Sequence, residues 1–192
     1  MNPDQAEIER VLGGETAAYT ALVERHQGRL LGLLVHACGS RETAEDISQE
    51  TFVRAFRKLH LFEGRSSFYT WLCRVAMNIL HSERRRKRME NQVRRESFDN
   101  AMLSAADSSA VERGMELAEL QQGVHRALAM LDLDRRTVLL LRDFDGLDYD
   151  EIAETLDIPV GTVRSRIHRA RLELKSILEA QLGPSGSADG AR

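Results

Sequence analysis

Tyr149 to Lys175 reads YDEIAETLDIPVGTVRSRIHRARLELK, two helical patterns hinged at Asp157-Ile158-Pro159. Asp148 and Glu151 stand at capping-box spacing ahead of the first pattern, and Pro159 blocks its continuation into the second. In the second, Val163, Ile167, Ala170 and Leu174 recur at helical period and form one apolar face. Arg164, Ser165, Arg166, His168, Arg169 and Arg171 are left for solvent or a ligand. A short helix, a tight turn and a longer helix with a basic outer face make a helix-turn-helix whose second helix suits a DNA major groove. Arginine can bridge the acceptor pair of guanine or hold a phosphate, and serine does either more weakly, so this face can both position and specify. The competing reading is a solvated basic face on an ordinary helical hairpin; the turn and the basic helix start, taken together, favour DNA.

Outward from this stretch the same periodicity continues, and no window alternates as a strand does. The predicted fold class is all-α. A first short helix is expected with Asn2 as N-cap and Pro3 at its first position, stopping at Gly13-Gly14. A second carries Tyr19, Leu22, Val23, Leu30, Leu33 and Leu34 inward and ends near Gly39. A third runs from about Arg41 to His60, with Ala44, Ile47, Phe52, Ala55, Phe56 and Leu59 inward. After the loop Leu61 to Arg65, a fourth starts at a Ser66/Ser67 cap, packs Phe68, Leu72, Val75 and Ile79, and continues into Arg84-Arg85-Arg86-Lys87-Arg88.

The pattern weakens between Asn91 and Ala110, where Ser, Ala, Asp and Asn accumulate. It resumes near Val111 with Leu117, Leu120, Val124, Leu128 and Leu131, turns at Asp132-Leu133-Asp134, and continues through Val138, Leu139 and Leu141. The chain of 192 residues, 42% of them hydrophobic, therefore divides into two small helical domains, 1–95 and 113–182. A flexible linker over 96–112 and a disordered tail over 183–192 complete it.

The net charge of −3 hides a segregation. Base collects at Arg84 to Arg88, Arg94-Arg95 and Arg164 to Arg171, acid at Glu42 to Glu50, Asp107 to Glu119 and Asp143 to Glu154, a pattern suited to one acidic and one basic partner. The longest apolar run, Leu30 to Val35 broken by Gly32, is too short for a membrane span, and the opening residues lack a signal pattern, so a cytoplasmic protein without membrane insertion is expected. Cys38 and Cys73 lack the paired spacing of a metal site and read as reduced thiols in or near a core. With no nucleophile–base pair, phosphate loop or metal constellation, and His26, His36 and His125 scattered, neither an enzyme nor a cofactor is expected.

Two further constellations accompany the helix-turn-helix. On the fourth helix Trp71, Arg74, Asn78, His81 and Arg85 share a face beside the core face, able to hold a single strand by stacking and backbone contact; on spacing alone a core tryptophan and a solvated arginine run are as good a reading. On the third, Glu42, Glu45, Asp46, Gln49 and Glu50 form an outward acidic ridge without same-face arginines, which suits a basic protein surface or, standing alone, solubility. A stand-alone helix-turn-helix regulator accounts for the second domain and leaves both of these unused.

Across nearly the whole chain except linker and tail, these residues resemble the extracytoplasmic-function sigma factors. Ala44 to Phe52 resembles region 2.2, Phe62 to Asn78 region 2.3 with its preceding loop, His81 to Arg88 region 2.4, and Tyr149 to Lys175 region 4.2. The resemblance implies a factor that binds RNA polymerase core and directs it to promoters by reading −35 and −10 elements. Asp46, Gln49 and Glu50 would dock on the β′ clamp helices, and the second domain on the β flap. Phe62, Trp71, Asn78 and Arg85 would open the −10 element and capture a base. Arg164, Ser165, Arg166, His168 and Arg169 would read the −35 element, with His168 departing from the aromatic residue of some relatives. It further implies an anti-sigma factor that covers the polymerase-binding surfaces.

Overall fold

The computed structural model describes residues 3–95 and 115–182. Eight α-helices carry the described residues, and no strand occurs among them: α1 (Gln5–Leu12), α2 (Tyr19–Cys38), α3 (Arg41–Lys58), α4 (Phe68–Arg95), α5 (Met115–Met130), α6 (Leu133–Leu139), α7 (Tyr149–Leu156) and α8 (Val160–Leu182). The expected linker and tail, and the side chains of Leu117 and Leu120, lie outside the described residues.

In the first half α2 is the axis, with α1, α3 and α4 packed around it. Its last turn closes on Gly39, whose φ of 72° lets its N–H reach the Val35 carbonyl at 2.9 Å, a left-handed conformation that a side chain would disfavour. Ser40 then caps α3 by accepting the Thr43 N–H at 3.3 Å. Leu22, Leu30, Leu34, Leu59, Phe68, Leu72 and Met77 fill the centre.

Two expectations need correction. α1 starts at Gln5, not at Pro3, and Asp4 in the N-cap position makes no side-chain cap bond, because its carboxylate is taken by Arg25 and by His26 at 3.1 Å. Phe56 does not point inward; it is 40% exposed, edge-on to Tyr19 with centroids 5.0 Å apart. Phe52 and the Tyr19 hydroxyl, which donates to the Phe52 carbonyl at 2.8 Å, already fill that part of the core.

In the second half Leu128, Leu139, Leu140, Leu141, Ile152, Val163, Ile167 and Ala170 are buried. Asp132 caps α6 by accepting the Asp134 N–H at 2.9 Å. α6 runs into a π-type turn, Leu140–Phe144, in which the Asp145 N–H reaches the Leu140 carbonyl at 3.0 Å. This wider turn brings Phe144 and Asp145 against α2. The buried residues of both halves join in one continuous apolar cluster.

Candidate nucleic-acid interface

The helix-turn-helix is built as its spacing predicts. Asp148 accepts the Glu151 N–H at 2.8 Å and Glu151 returns a carboxylate oxygen to the Asp148 N–H at 2.9 Å, which fixes where α7 begins. Asp157 ends it in the left-handed region at φ 53°, and the Pro159 carbonyl accepts from Thr162 and Val163 to start α8. Val163, Ile167 and Ala170 are sealed against the core. Rotation by 3.6 residues per turn therefore turns Arg164, Ser165, His168 and Arg169 to solvent, where all four are exposed.

The arginines of this helix differ in commitment. Arg164 and Arg169 form no ion pair among the described residues, whereas Arg166 is half-buried and paired with Asp134 at 2.9 Å. Arg171 is held by Asp143 through two contacts of 2.5 and 3.2 Å, which push its pKa up. The free cations thus face outward from one stripe, flanked by two that brace α8 against α6 and the turn after it.

On α4, Ser67 accepts the Thr70 N–H at 3.0 Å, as the expected serine cap requires. The loop and the helix then meet: Phe62 lies 5.4 Å from Trp71 and 5.9 Å from Phe68, ring centre to ring centre, with Phe62 and Trp71 half-buried over the fully buried Phe68. Asn78 and Arg85 are exposed further along, about 10 and 21 Å beyond Trp71 at the helical rise. Phe62 and Trp71 are thus brought together, while Asn78 and Arg85 extend the track rather than join the cluster. Arg74, on the same face, is 3.6 Å from Glu154 of α7.

The acidic ridge is real in its exposure, with Asp46, Gln49 and Glu50 all turned outward while Ile47, Ser48 and Thr51 are buried. The expected lack of same-face arginines is wrong: Arg41 pairs with Glu45 at 2.8 Å and Arg54 with Glu50 at 2.6 Å, one helical turn apart. Exposed pairs of this kind contribute about 0.3–0.5 kcal/mol, so they yield to a stronger cationic partner. Beside them Val53 and Phe56 are 44% and 40% exposed, an apolar margin that the sequence pattern assigned to the core in the case of Phe56 and passed over for Val53. Side chains without local signal also went unseen, above all Arg29, Tyr69, Asp145 and Arg136.

Neither cysteine is poised as a nucleophile. Burial pushes the Cys38 thiol up to about 11 and the Cys73 thiol up to about 12, so both stay protonated at neutral pH. Among the described residues no His/Cys/Asp/Glu group has metal-site geometry, and no helix is long and apolar enough to cross a membrane.

A helix-turn-helix with an outward arginine stripe, an aromatic and arginine track on a second helix, and an acidic ridge have the form expected of a nucleic-acid-binding protein with a protein partner. Comparison with known proteins sharpens this. Residues 22–90 match the family model of sigma-70 region 2, and residues 121–174 that of sigma-70, region 4. An RNA polymerase sigma-H factor of Pseudomonas aeruginosa is 39% identical over 184 residues, covering 93% of this chain and 95% of that protein. An ECF RNA polymerase sigma-E factor of Haemophilus influenzae is 40% identical over 174 residues, covering 88% of this chain and 91% of that protein.

Among solved structures, the sigma factor RpoE in complex with the anti-sigma factor NepR from Bartonella quintana superposes with a TM-score of 0.67 at 25% identity, over 84% of this chain and 96% of that one. CnrH in complex with the cytosolic domain of CnrY gives 0.66 at 28% identity, over 92% and 97%. The chain belongs to the extracytoplasmic-function family of RNA polymerase sigma factors. It is an alternative sigma factor, a transcription initiation factor rather than an enzyme, that directs RNA polymerase to promoters.

Proposed function

We propose that residues 1–95 bind polymerase core and open the −10 element, and that residues 113–182, joined through a linker over 96–112, read the −35 element. In this reading Arg164, Ser165, His168 and Arg169 enter the major groove, and Arg166 joins them once Asp134 releases it. The observation that carries it is the division of α8 into a sealed apolar face and an exposed stripe whose two arginines have no carboxylate partner among the described residues. A bidentate arginine–guanine contact is worth about 1–3 kcal/mol of discrimination, enough to select a site when several act together.

Phe62 and Trp71 form the stacking platform for an unpaired base, and Asn78 and Arg85 follow the strand along α4. Asp46, Gln49 and Glu50, with Val53 and Phe56 as apolar margin, dock on the β′ clamp helices, and the second domain binds the β flap. The two structural relatives were solved with an anti-sigma factor and with the cytosolic domain of CnrY, which supports a proteinaceous inhibitor for this chain as well. The site of action is the cytoplasm, where the polymerase is.

Run-off transcription with core polymerase tests the assignment. Asp46→Arg is expected to abolish core binding while leaving the helical content intact, and Arg164→Ala to weaken promoter recognition while core binding persists. Binding of promoter DNA without polymerase, with transcription independent of added protein, would instead identify a stand-alone regulator.

A further inference from the structure

Of the arginines of α8, Arg164, Arg166, Arg169 and Arg171, two are already engaged. At about 100° per residue, Arg166 and Arg171 fall on opposite margins of the apolar face formed by Val163, Ile167 and Ala170, while Arg164, Ser165, His168 and Arg169 make the outward stripe between them. On the α6 margin Asp134 reaches Arg166 at 2.9 Å, and its own N–H donates to the Asp132 cap at 2.9 Å, which fixes where it stands. On the other margin Asp143 of the π-type turn holds Arg171 through contacts of 2.5 and 3.2 Å. The two aspartates come from different elements, and both close on α8 at the edge of its buried face.

A helix lying in a major groove turns its outer stripe to the base edges and its margins to the phosphates that wall the groove. Arg166 and Arg171 therefore stand where a phosphate would be met, with their charge already answered by a carboxylate. To hold a phosphate, each has to leave its aspartate and strand a negative charge beside a polyanion. Both pairs are partly exposed, so each is worth up to about fivefold in an equilibrium and yields only at that cost. Arg164 and Arg169 have no carboxylate partner among the described residues to leave.

We propose that Asp134 and Asp143 are positioning residues that set the phosphate grip of α8: by holding Arg166 and Arg171 back, they keep the sequence-blind part of duplex binding small and leave recognition to the outward stripe. This rests on the −35 reading of α8. Duplex affinity and its salt dependence grow with the number of phosphates neutralised, each adding about 0.9 to the slope of log affinity against log salt. Two arginines held back withdraw about two such contacts, so less of the binding is indifferent to sequence.

The test uses the full chain with a dye-labelled, mixed-sequence DNA duplex, read by fluorescence anisotropy over a salt series. Asp134→Asn and Asp143→Asn should each tighten binding about two- to fivefold and steepen the salt slope by about 0.9. Glu24→Gln removes the same charge from an exposed position on α2, and should tighten binding less and leave the slope unchanged. In an Arg166→Gln background, Asp134→Asn should lose its effect, because no arginine is left in the pair to release. Asp134→Glu, one methylene longer with its charge kept, should return both readouts toward the starting protein.

An aspartate variant that binds no tighter than Glu24→Gln, at an unchanged slope, overturns the role of that aspartate; because the two stand on separate elements, damage to α6 leaves Asp143 as an independent test. A gain by Asp134→Asn that survives Arg166→Gln means that the carboxylate acts by repulsion alone, and overturns the positioning. If Arg164→Ala and Arg169→Ala weaken duplex binding while the aspartate variants do not tighten it, the proposal fails and the −35 reading stands. If those two leave duplex binding unchanged, α8 is not the DNA face and both fall together.

Discussion

Replacing Arg136 with methionine should destabilise the folded chain by about 2–4 kcal/mol, a balance of large opposing terms. The guanidinium is buried, with the residue 9% exposed. It donates to the Ala37 carbonyl at 2.8 Å, to Ala129 at 2.6 Å and to Leu131 at 3.0 Å. Ala37 and Ala129 lie in the last turns of α2 and α5, where carbonyls lack intrahelical donors and the helix dipole is negative.

Hydrogen bonds from a charged donor are worth roughly 1.5–3 kcal/mol each, so the three together gain about 4.5–9 kcal/mol. Against this stands the desolvation of the charge, several kcal/mol, which also lowers the Arg136 pKa, together with an Nε–H that finds no acceptor among the described residues. Methionine keeps the length of the stem and leaves three carbonyls dry, so the loss reads on the bonds rather than on a cavity. Urea unfolding followed by circular dichroism measures it. An unchanged or raised midpoint at constant slope would mean that the desolvation cost cancels the bonds, and that Arg136 does not hold α2 to α5 and α6 in the way described.

The stacked pair His36 and His125, with ring centres 4.2 Å apart beside Phe144, predicts a pH effect. Burial, and then His36, hold the His125 pKa below its ordinary 6.5, so the unfolded chain binds the proton more readily; the stabilisation is present above 6.5 and is lost as pH falls through the depressed value. Melting temperatures between pH 7.5 and 5.5 should fall more steeply in the starting protein than in His125→Gln, and parallel curves would refute the assignment. Removing the α7 cap with Asp148→Ala should cost about 1 kcal/mol and weaken duplex binding by the same helix-turn-helix, as urea unfolding and a mobility shift would show together. Cys73 should resist thiol reagents at pH 8 and react faster in Arg29→Glu, which sets a carboxylate against Asp145 beside Cys73; equal rates would show that the change leaves it covered.

The local parts of this molecule were legible in its sequence. The capping box at Asp148 and Glu151, the break at Pro159, the buried Val163, Ile167 and Ala170, and the Ser67 start of α4 all depend on residues within one turn of each other. The start of α1, expected at Asn2-Pro3, falls instead at Gln5 behind Asp4, whose partners Arg25 and His26 come from another helix. The ion pairs of the ridge were within reach, since Arg54 follows Glu50 by one turn. Arg29 and Asp145 are separated by 116 residues, and nothing near either announces the other; only packing α2 against the π-type turn makes them neighbours. Where a residue's role is set by its own helix the sequence conveys it, and where it is set by the second half of the chain the sequence does not.

α4 runs over 28 described residues, about 42 Å. Up to Leu80 it is anchored by buried side chains, whereas Arg84 to Glu90 are all exposed and are braced by Arg86 pairing with Glu83 and Glu90 and by Arg84 reaching Asp132 at 4.0 Å. Such pairs hold a turn by only about 0.2–0.5 kcal/mol, so the length of this helix is a variable of state rather than a constant of the fold. Amide protection should therefore decline turn by turn toward Arg95, and a polyanion laid beside the arginines should raise it. On the strand-binding reading of α4, promoter opening should then respond to temperature and salt through the order of this last stretch as well as through its charge.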